Sequence, residues 1–279
     1  MSSLIHTLYT ISRPHFWMYG LGPYLFGVAH ALHNGWVQPG DWWLLVVYGL
    51  FFTFPANLLV YGLNDIYDRP TDALNPKKQS YERVLDKDII PKLVRAILIS
   101  VTPFLLLGII FISWQALVVL ILGCMALALY SVPPARIKAI PVLDSFWNGV
   151  MSLIGFVFII VLYQGSFPWY GMGAGFIWAS ALHAYSAVPD ITYDTQAGIE
   201  TIATRLGAKN TLWLVMASMK FATVLGVLAG GWIVGVLGAP YIILTMKTYF
   251  DGEHIMKYYK AIPWITTGIG MILFFLILL

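Results

Sequence analysis

Residues 42–72 read WWLLVVYGLFFTFPANLLVYGLNDIYDRPTD. A membrane-crossing helix needs roughly 20 mostly apolar residues, and the part from 42 to 64 supplies them before the chain reaches Asn64, Asp65, Asp68 and Asp72. On a helix, offsets of three, four and seven place the carboxylates of Asp65, Asp68 and Asp72 on one face. Three like charges stacked at the edge of a bilayer repel one another and are costly unless cations neutralise them. Hard divalent ions such as Mg²⁺ take carboxylate oxygen while keeping waters and recruiting substrate phosphates. This one stretch therefore asks for a membrane, a metal and a phosphate.

The rest of the chain agrees about the membrane. Of its 279 residues 59% are hydrophobic and 10% charged, with mean hydropathy +0.77, which is more apolar surface than one water-soluble core can hide. Nine apolar stretches are long enough to span: 15–32, 42–64, 91–112, 114–132, 143–165, 169–188, 211–229, 231–248 and 262–279. The expectation is an all-α polytopic membrane protein, a bundle of about nine transmembrane helices, forming a single domain over residues 1–279. The first stretch follows polar residues, contains Trp17 and Tyr19 and lacks a small-residue cleavage site, so it reads as a retained helix. The single cysteine, Cys124, sits in the fourth stretch and reads as a buried space-filler.

Charge placement gives the expected topology. Arg13 precedes the first stretch; Arg69, Lys77, Lys78, Arg83, Lys87, Lys92 and Arg95 lie in or beside the connection between the second and third. Arg136 and Lys138 follow the fourth, Arg205 and Lys209 the sixth, and Lys247, Lys257 and Lys260 the eighth. The alternate connections, around 33–41, 113, 164–168 and 230, carry no Lys or Arg. By the positive-inside rule the N-terminus and the long polar loops belong in the cytoplasm and the C-terminus outside, in the cell membrane. All acidic residues except Asp41 fall on the same side, so a site is expected there. Lys220, near the middle of the seventh stretch, would be costly if unpaired in lipid; it reads as facing the bundle interior or lying nearer an interface.

A second acidic pair, Asp190 and Asp194, has i, i+4 spacing and the same one-face geometry. His183 lies seven residues earlier on roughly the same face and reads as a packed or hydrogen-bonded residue rather than a ligand. Basic groups complete an anion site: Arg136 and Lys138 in the segment Tyr130–Lys138 (YSVPPARIK), and Arg205 in TIATRLG, residues 201–207. Guanidinium pairs phosphate oxygens in bidentate fashion, while ammonium acts as a point charge. Cytoplasmic Lys and Arg also serve orientation alone, so it is the combination of acidic and basic clusters that carries the argument.

The chain resembles the UbiA superfamily of intramembrane prenyltransferases, whose first motif reads NDxxDxxxD; Asn64, Asp65, Asp68 and Asp72 match each fixed position. The second motif, DxxxD, corresponds to Asp190 and Asp194, and the segment from Tyr130 to Lys138 resembles the family's tyrosine-serine-proline stretch. The resemblance implies that the five aspartates bind Mg²⁺ and a prenyl diphosphate, assisted by Asn64, Arg136, Lys138 and Arg205, and that Tyr130 lines the reacting pocket. Asn57, one heptad before Asn64, is a further candidate for the diphosphate, with helix packing as its plainer reading. Pro70 departs from a continuous helix, which is expected to end or kink there, leaving Asp72 the least secure ligand. The wording after the first motif, LNPKK at 74–78, and PDITYDTQAGIETIATR at 189–205, resemble the lycopene elongase branch, which adds C5 units from dimethylallyl diphosphate to a linear carotenoid. Branches making quinones, haem O or archaeal ether lipids share the core motifs.

The expected reaction is Mg²⁺-assisted departure of diphosphate, leaving an allylic cation that an electron-rich acceptor carbon attacks. Tyr130 offers a π-face to that cation. The expected partners are a prenyl diphosphate, a lipophilic acceptor (carotenoid or aromatic) and membrane lipid, with no nucleic acid. A secondary transporter would more typically place its functional groups near the midplane, often on broken helices, whereas here they crowd one interface. A CDP-alcohol phosphotransferase would need an Asp-Gly opening followed by Ala-Arg, which the chain lacks. A scaffold has no use for five aspartates at helical spacing, and a cyclase of the same superfamily would use the same metal site.

Overall fold

Apolar runs broken by Gly, Pro and polar residues leave the backbone only one way to satisfy its hydrogen bonds inside lipid, the α-helix, and the described residues form helices and no strand. The computed structural model describes residues 2–72, 85–252 and 255–279, excluding the side chains of 2, 3 and 70–72. Lys77, Lys78, Arg83 and the LNPKK segment lie outside the described residues, as does the side chain of Asp72. In chain order the α-helices are α1 (Ser2–Ile11), α2 (Trp17–His33), α3 (Trp42–Phe51), α4 (Phe54–Asp72), α5 (Ile90–Phe111), α6 (Trp114–Leu129), α7 (Leu143–Leu162), α8 (Trp169–Ala187), α9 (Ile191–Gln196), α10 (Ile202–Leu206), α11 (Ala208–Gly230), α12 (Trp232–Phe250) and α13 (Ile255–Leu278).

Each of the nine expected stretches falls on this helical framework, but the second is two helices, α3 and α4, separated at Phe52 and Thr53. Six candidate spans among the described residues are long and apolar enough to cross a membrane: Pro39–Arg69, Lys87–Phe111, Leu143–Leu162, Ala208–Gly230, Trp232–Phe250 and Ile255–Leu278. The count of nine is not reached on that measure. At 1.5 Å per residue, the 17 residues of α2 and 16 of α6 fall short of a bilayer core of about 30 Å, and α8 is diluted by Gly, Ala and Ser. The ten-residue α1, ahead of the first apolar stretch, was not expected.

The chain packs as two compact units, Met1–Arg136 with Ile154–Gly165, and Ile137–Leu153 with Ser166–Leu279. In the first, Tyr24, Tyr48, Phe51, Leu58, Leu93, Leu120, Phe158 and Ile159 are fully buried. The two buried phenols are satisfied by main chain, Tyr24 donating to the Leu45 carbonyl (2.6 Å) and Tyr48 to that of Phe104 (3.3 Å). Small residues let helices approach closely where lipid supplies no hydrophobic drive: a Cβ built at Gly155 of α7 would lie 2.8 Å from Tyr24 Cβ and 3.0 Å from its backbone N and Cα. In the second unit, Ala184, Tyr185, Ile202, Leu212, Val215, Met219, Tyr241 and Ile262 form the core. There Tyr185 and Thr248 share a buried hydroxyl–hydroxyl bond of 2.7 Å.

Candidate functional site

In the first unit, α4 carries Asn64, Asp65 and Asp68 to its C-terminal turns. Asp65 is buried, and its Oδ1 accepts from Arg13 Nη2 at 2.9 Å. Arg13 reaches it from the junction between α1 and α2, where its backbone turns through the left-handed region (φ 49°) and Pro14 starts the next turn. Its guanidinium also lies over the Tyr61 ring, 4.7 Å from the centroid. One turn along, Asp68 Oδ1 accepts from Arg136 Nη2 at 3.1 Å. Asn64 Oδ1 accepts from Ser131 Oγ at 3.3 Å, and Ser131 is wholly buried. Helix α4 continues through Pro70 to Asp72, so the proline does not end it. A proline this close to a C-terminus removes only a bond in the last turns.

Tyr130 caps the C-terminus of α6 and is half-buried, one residue before Ser131. The segment that follows returns Arg136 to α4 with φ 37°, and leaves its Nε buried without a hydrogen-bond partner. Asn57, buried at the start of α4, is engaged with the main chain at the helix break: its Nδ2 donates to the carbonyl of Phe52 (3.3 Å) and to that of Thr53 (2.6 Å), which also accepts the backbone N–H of Asn57 (3.3 Å). Asn57→Ala is expected to lower stability by about 1–3 kcal/mol through those carbonyls and to leave the KM for prenyl diphosphate unchanged. A raised KM at unchanged Tm would instead make Asn57 a diphosphate contact.

In the second unit the backbone stays right-handed helical around the DxxxD pair but changes from 3₁₀ to α between its two members. Asp190 closes a 3₁₀ turn, Val188–Asp190, with Pro189 at its centre, and Asp194 lies in the six-residue α9; both are half-buried. Arg205 is exposed in the last turn of α10, Lys138 is buried in the turn Ile137–Ala139, and Lys220 is exposed on α11. His183 is hydrogen-bonded, its Nδ1 lying 3.2 Å from Ser145 Oγ. Sequence reasoning used Arg13 only for topology and singled out neither Ser131 nor Asp144. The Arg-Pro step before the first span was the available signal for Arg13.

Among the described residues no group of three or more His, Cys, Asp or Glu side chains is placed to share a metal ion. The donor chemistry nevertheless fits Mg²⁺. Asp65 and Asp68 offer hard oxygen one turn apart, each already drawing a guanidinium as countercharge, and Arg136 Nε is a buried donor awaiting an acceptor. A magnesium ion uses one or two carboxylates together with substrate phosphates rather than an all-protein cage.

Comparison with known proteins bears on the same features. The model of the UbiA prenyltransferase family matches residues 20–254. The lycopene elongase/hydratase of Haloarcula japonica is 36% identical over 274 residues, 97% of this chain and 90% of the relative. That of Corynebacterium glutamicum is 30% identical over 295 aligned positions, covering 100% of this chain and 98% of the relative. Among solved structures, a UbiA homolog from Aeropyrum pernix K1 superposes with TM-score 0.71 at 17% identity over 94% of this chain and 98% of that one. A UbiA homolog from Archaeoglobus fulgidus bound to GPP and Mg²⁺ superposes with TM-score 0.68 at 18% identity over 98% and 99%. At such identities these two bear on the fold alone.

Proposed function

Because this chain belongs to the UbiA prenyltransferase family, we propose that it transfers a C5 prenyl group from dimethylallyl diphosphate to lycopene or a related linear carotenoid, with Mg²⁺ as cofactor. The observation that carries this reading is the similarity to lycopene elongase/hydratases along nearly the whole chain. The chain is an integral membrane enzyme; its proposed setting is the cell membrane, as a single prenyltransferase domain of about nine spans, with the N-terminus and the site cytoplasmic and the C-terminus outside. Charge placement supports that orientation.

The proposed Mg²⁺ ligands are Asp65, Asp68, Asp72, Asp190 and Asp194, a set carried over from the family's two motifs. When bound, the ion supplies positive charge to the diphosphate as it leaves. Arg136, with its unpaired buried Nε, pairs with phosphate oxygens in this reading, and so do Lys138 and Arg205. Asn64, oriented by Ser131, adds a neutral donor. Tyr130 presents a ring to the allylic cation, which the terminal double bond of the acceptor attacks, forming the new carbon–carbon bond and leaving a tertiary cation on the acceptor that is quenched by loss of a proton or capture of water. Asn57 enters as the residue that holds the α3–α4 break and so the direction of α4.

The test is to incubate detergent-solubilised protein with labelled dimethylallyl diphosphate and, separately, lycopene, an aromatic quinone precursor and a glycerophosphate lipid. A lipid-extractable product from lycopene is expected, lost on chelation with EDTA and restored by Mg²⁺. Product from the aromatic acid alone would keep prenyl transfer and overturn the carotenoid acceptor. Absence of diphosphate release from any donor, with folded protein, would overturn the activity.

A further inference from the structure

Asp144, the second residue of α7, is wholly buried, and no step above uses it. Its Oδ2 accepts the backbone N–H of Ile202 at 3.1 Å, while Oδ1 is equally buried and has no hydrogen-bond partner. A carboxyl removed from water, given one neutral donor and lying within electrostatic reach of His183, is a costly way to fill space. What it holds is the start of α10, the five-residue helix bearing Arg205. That helix caps itself reciprocally: Thr201 N–H donates to Thr204 Oγ1 (2.8 Å) and Thr204 N–H to Thr201 Oγ1 (3.2 Å). The capping box leaves the N–H of Ile202 to be satisfied from outside, and the side chain that does so belongs to α7. The next residue, Ser145, is also buried and contacts His183 on α8, the helix that leads through Val188–Asp190 to the second acidic motif. Two adjacent residues of α7 thus fasten the two segments that lead to Arg205 and to Asp190.

We propose that Asp144 is a positioning residue for diphosphate capture: through the N–H of Ile202 it fixes α10, and with it the direction from which Arg205 meets a phosphate oxygen. The proposal rests on the reading of Arg205 as a diphosphate contact. A helix of five residues cannot hold its own orientation by propagation, because nucleating a turn costs more than so few bonds return. Freed from Asp144, α10 keeps its capping box and the burial of Ile202 and Ala203 but loses the hydrogen bond that fixes its first turn, and Arg205 spends less time where a diphosphate needs it.

The test compares Asp144→Ala, Asp144→Asn and Arg205→Ala, alone and combined, by steady-state kinetics with dimethylallyl diphosphate and by hydrogen exchange over residues 201–206. Asp144→Ala is expected to raise the KM for the diphosphate about tenfold, the scale of one charge-assisted contact, with kcat changed much less. It should add nothing in the Arg205→Ala background, since both remove the same contact. Asp144→Asn keeps an oxygen for the Ile202 N–H and should recover most of the wild-type KM and the slow exchange. This variant decides the matter if Asp144→Ala does not fold. The proposal is overturned if Asp144→Asn is as impaired as Asp144→Ala, if Asp144→Ala retains its full effect without Arg205, or if Arg205→Ala leaves KM unchanged. An enzyme silent with every prenyl diphosphate would sink the proposed function; exchange over 201–206 would then still read the tether by itself.

Discussion

Asp65→Asn should lower prenyl transfer on the order of a thousandfold while the protein remains folded and membrane-bound. The substitution keeps volume and one acceptor oxygen, and removes the negative charge that Mg²⁺ ligation requires. Loss of a single preorganised electrostatic group at a site of charge development costs about 10²–10³ in rate. Asp65 carries a second burden, since its Oδ1 is the partner of Arg13 and the pair is largely out of water, with side chains 9% and 15% exposed. Removing one member of a shielded pair leaves the other charge stranded, so a lowered Tm is expected alongside the lost rate. Double substitution with Arg13→Gln should recover much of the Tm and none of the activity. Product formation by Asp65→Asn within tenfold of wild type would remove Asp65 from the proposed ligands.

Gly155→Val should prevent the protein from accumulating in folded form, and Gly155→Ala should already lower its Tm. The Cβ of any residue here meets Tyr24 backbone N and Cα at 3.0 Å and Tyr24 Cβ at 2.8 Å, atoms that move only if α2 itself moves. Overpacking of this kind costs about 1–3 kcal/mol for a small intrusion and more where backbone is the obstacle. Gly22, on α2 itself, has nothing within 4 Å of the equivalent Cβ position. Gly22→Ala is therefore the control, expected to leave Tm unchanged. Thermal unfolding followed by size-exclusion chromatography in detergent reads both; equal Tm values for the two alanine variants would show that α2 can withdraw freely.

The helices were legible because lipid enforces a simple code, in which roughly 20 apolar residues in a row have no alternative to a helix. The break at Phe52 and Thr53 left only a faint mark, Thr53 and a Pro55 in the first turn of α4 within an otherwise apolar run, and it is satisfied by a residue four to five positions later, Asn57, whose amide looked equally suited to a ligand. Asp65 and Asp68 were found by spacing, yet their partners were not. Arg13 comes from 52 positions earlier and Arg136 from 68 later. Periodicity reports which face of a helix a residue occupies, and says nothing of what tertiary packing brings against that face. Asp190 and Asp194 are a subtler case: an i, i+4 interval suggested one helical face, and the backbone does stay right-handed helical around the pair, but the first lies in a 3₁₀ turn containing Pro189 and the second in α9. Asp144 carried no motif at all, because its partner is a main-chain N–H, which has no letter in the sequence.

The two guanidinium–carboxylate pairs on α4 also bear on how ligands load. On the proposed roles, Mg²⁺ arriving alone shares Asp65 with Arg13 and Asp68 with Arg136, a like-charge neighbourhood, and brings those arginines no new acceptor. Mg²⁺ arriving with a diphosphate brings the acceptor oxygens along. Cation and prenyl donor are then thermodynamically linked, each raising the affinity for the other by the same factor. An enzyme wired this way would hold its cation more tightly once its donor arrives, so that the two assemble together at the membrane edge rather than one after the other.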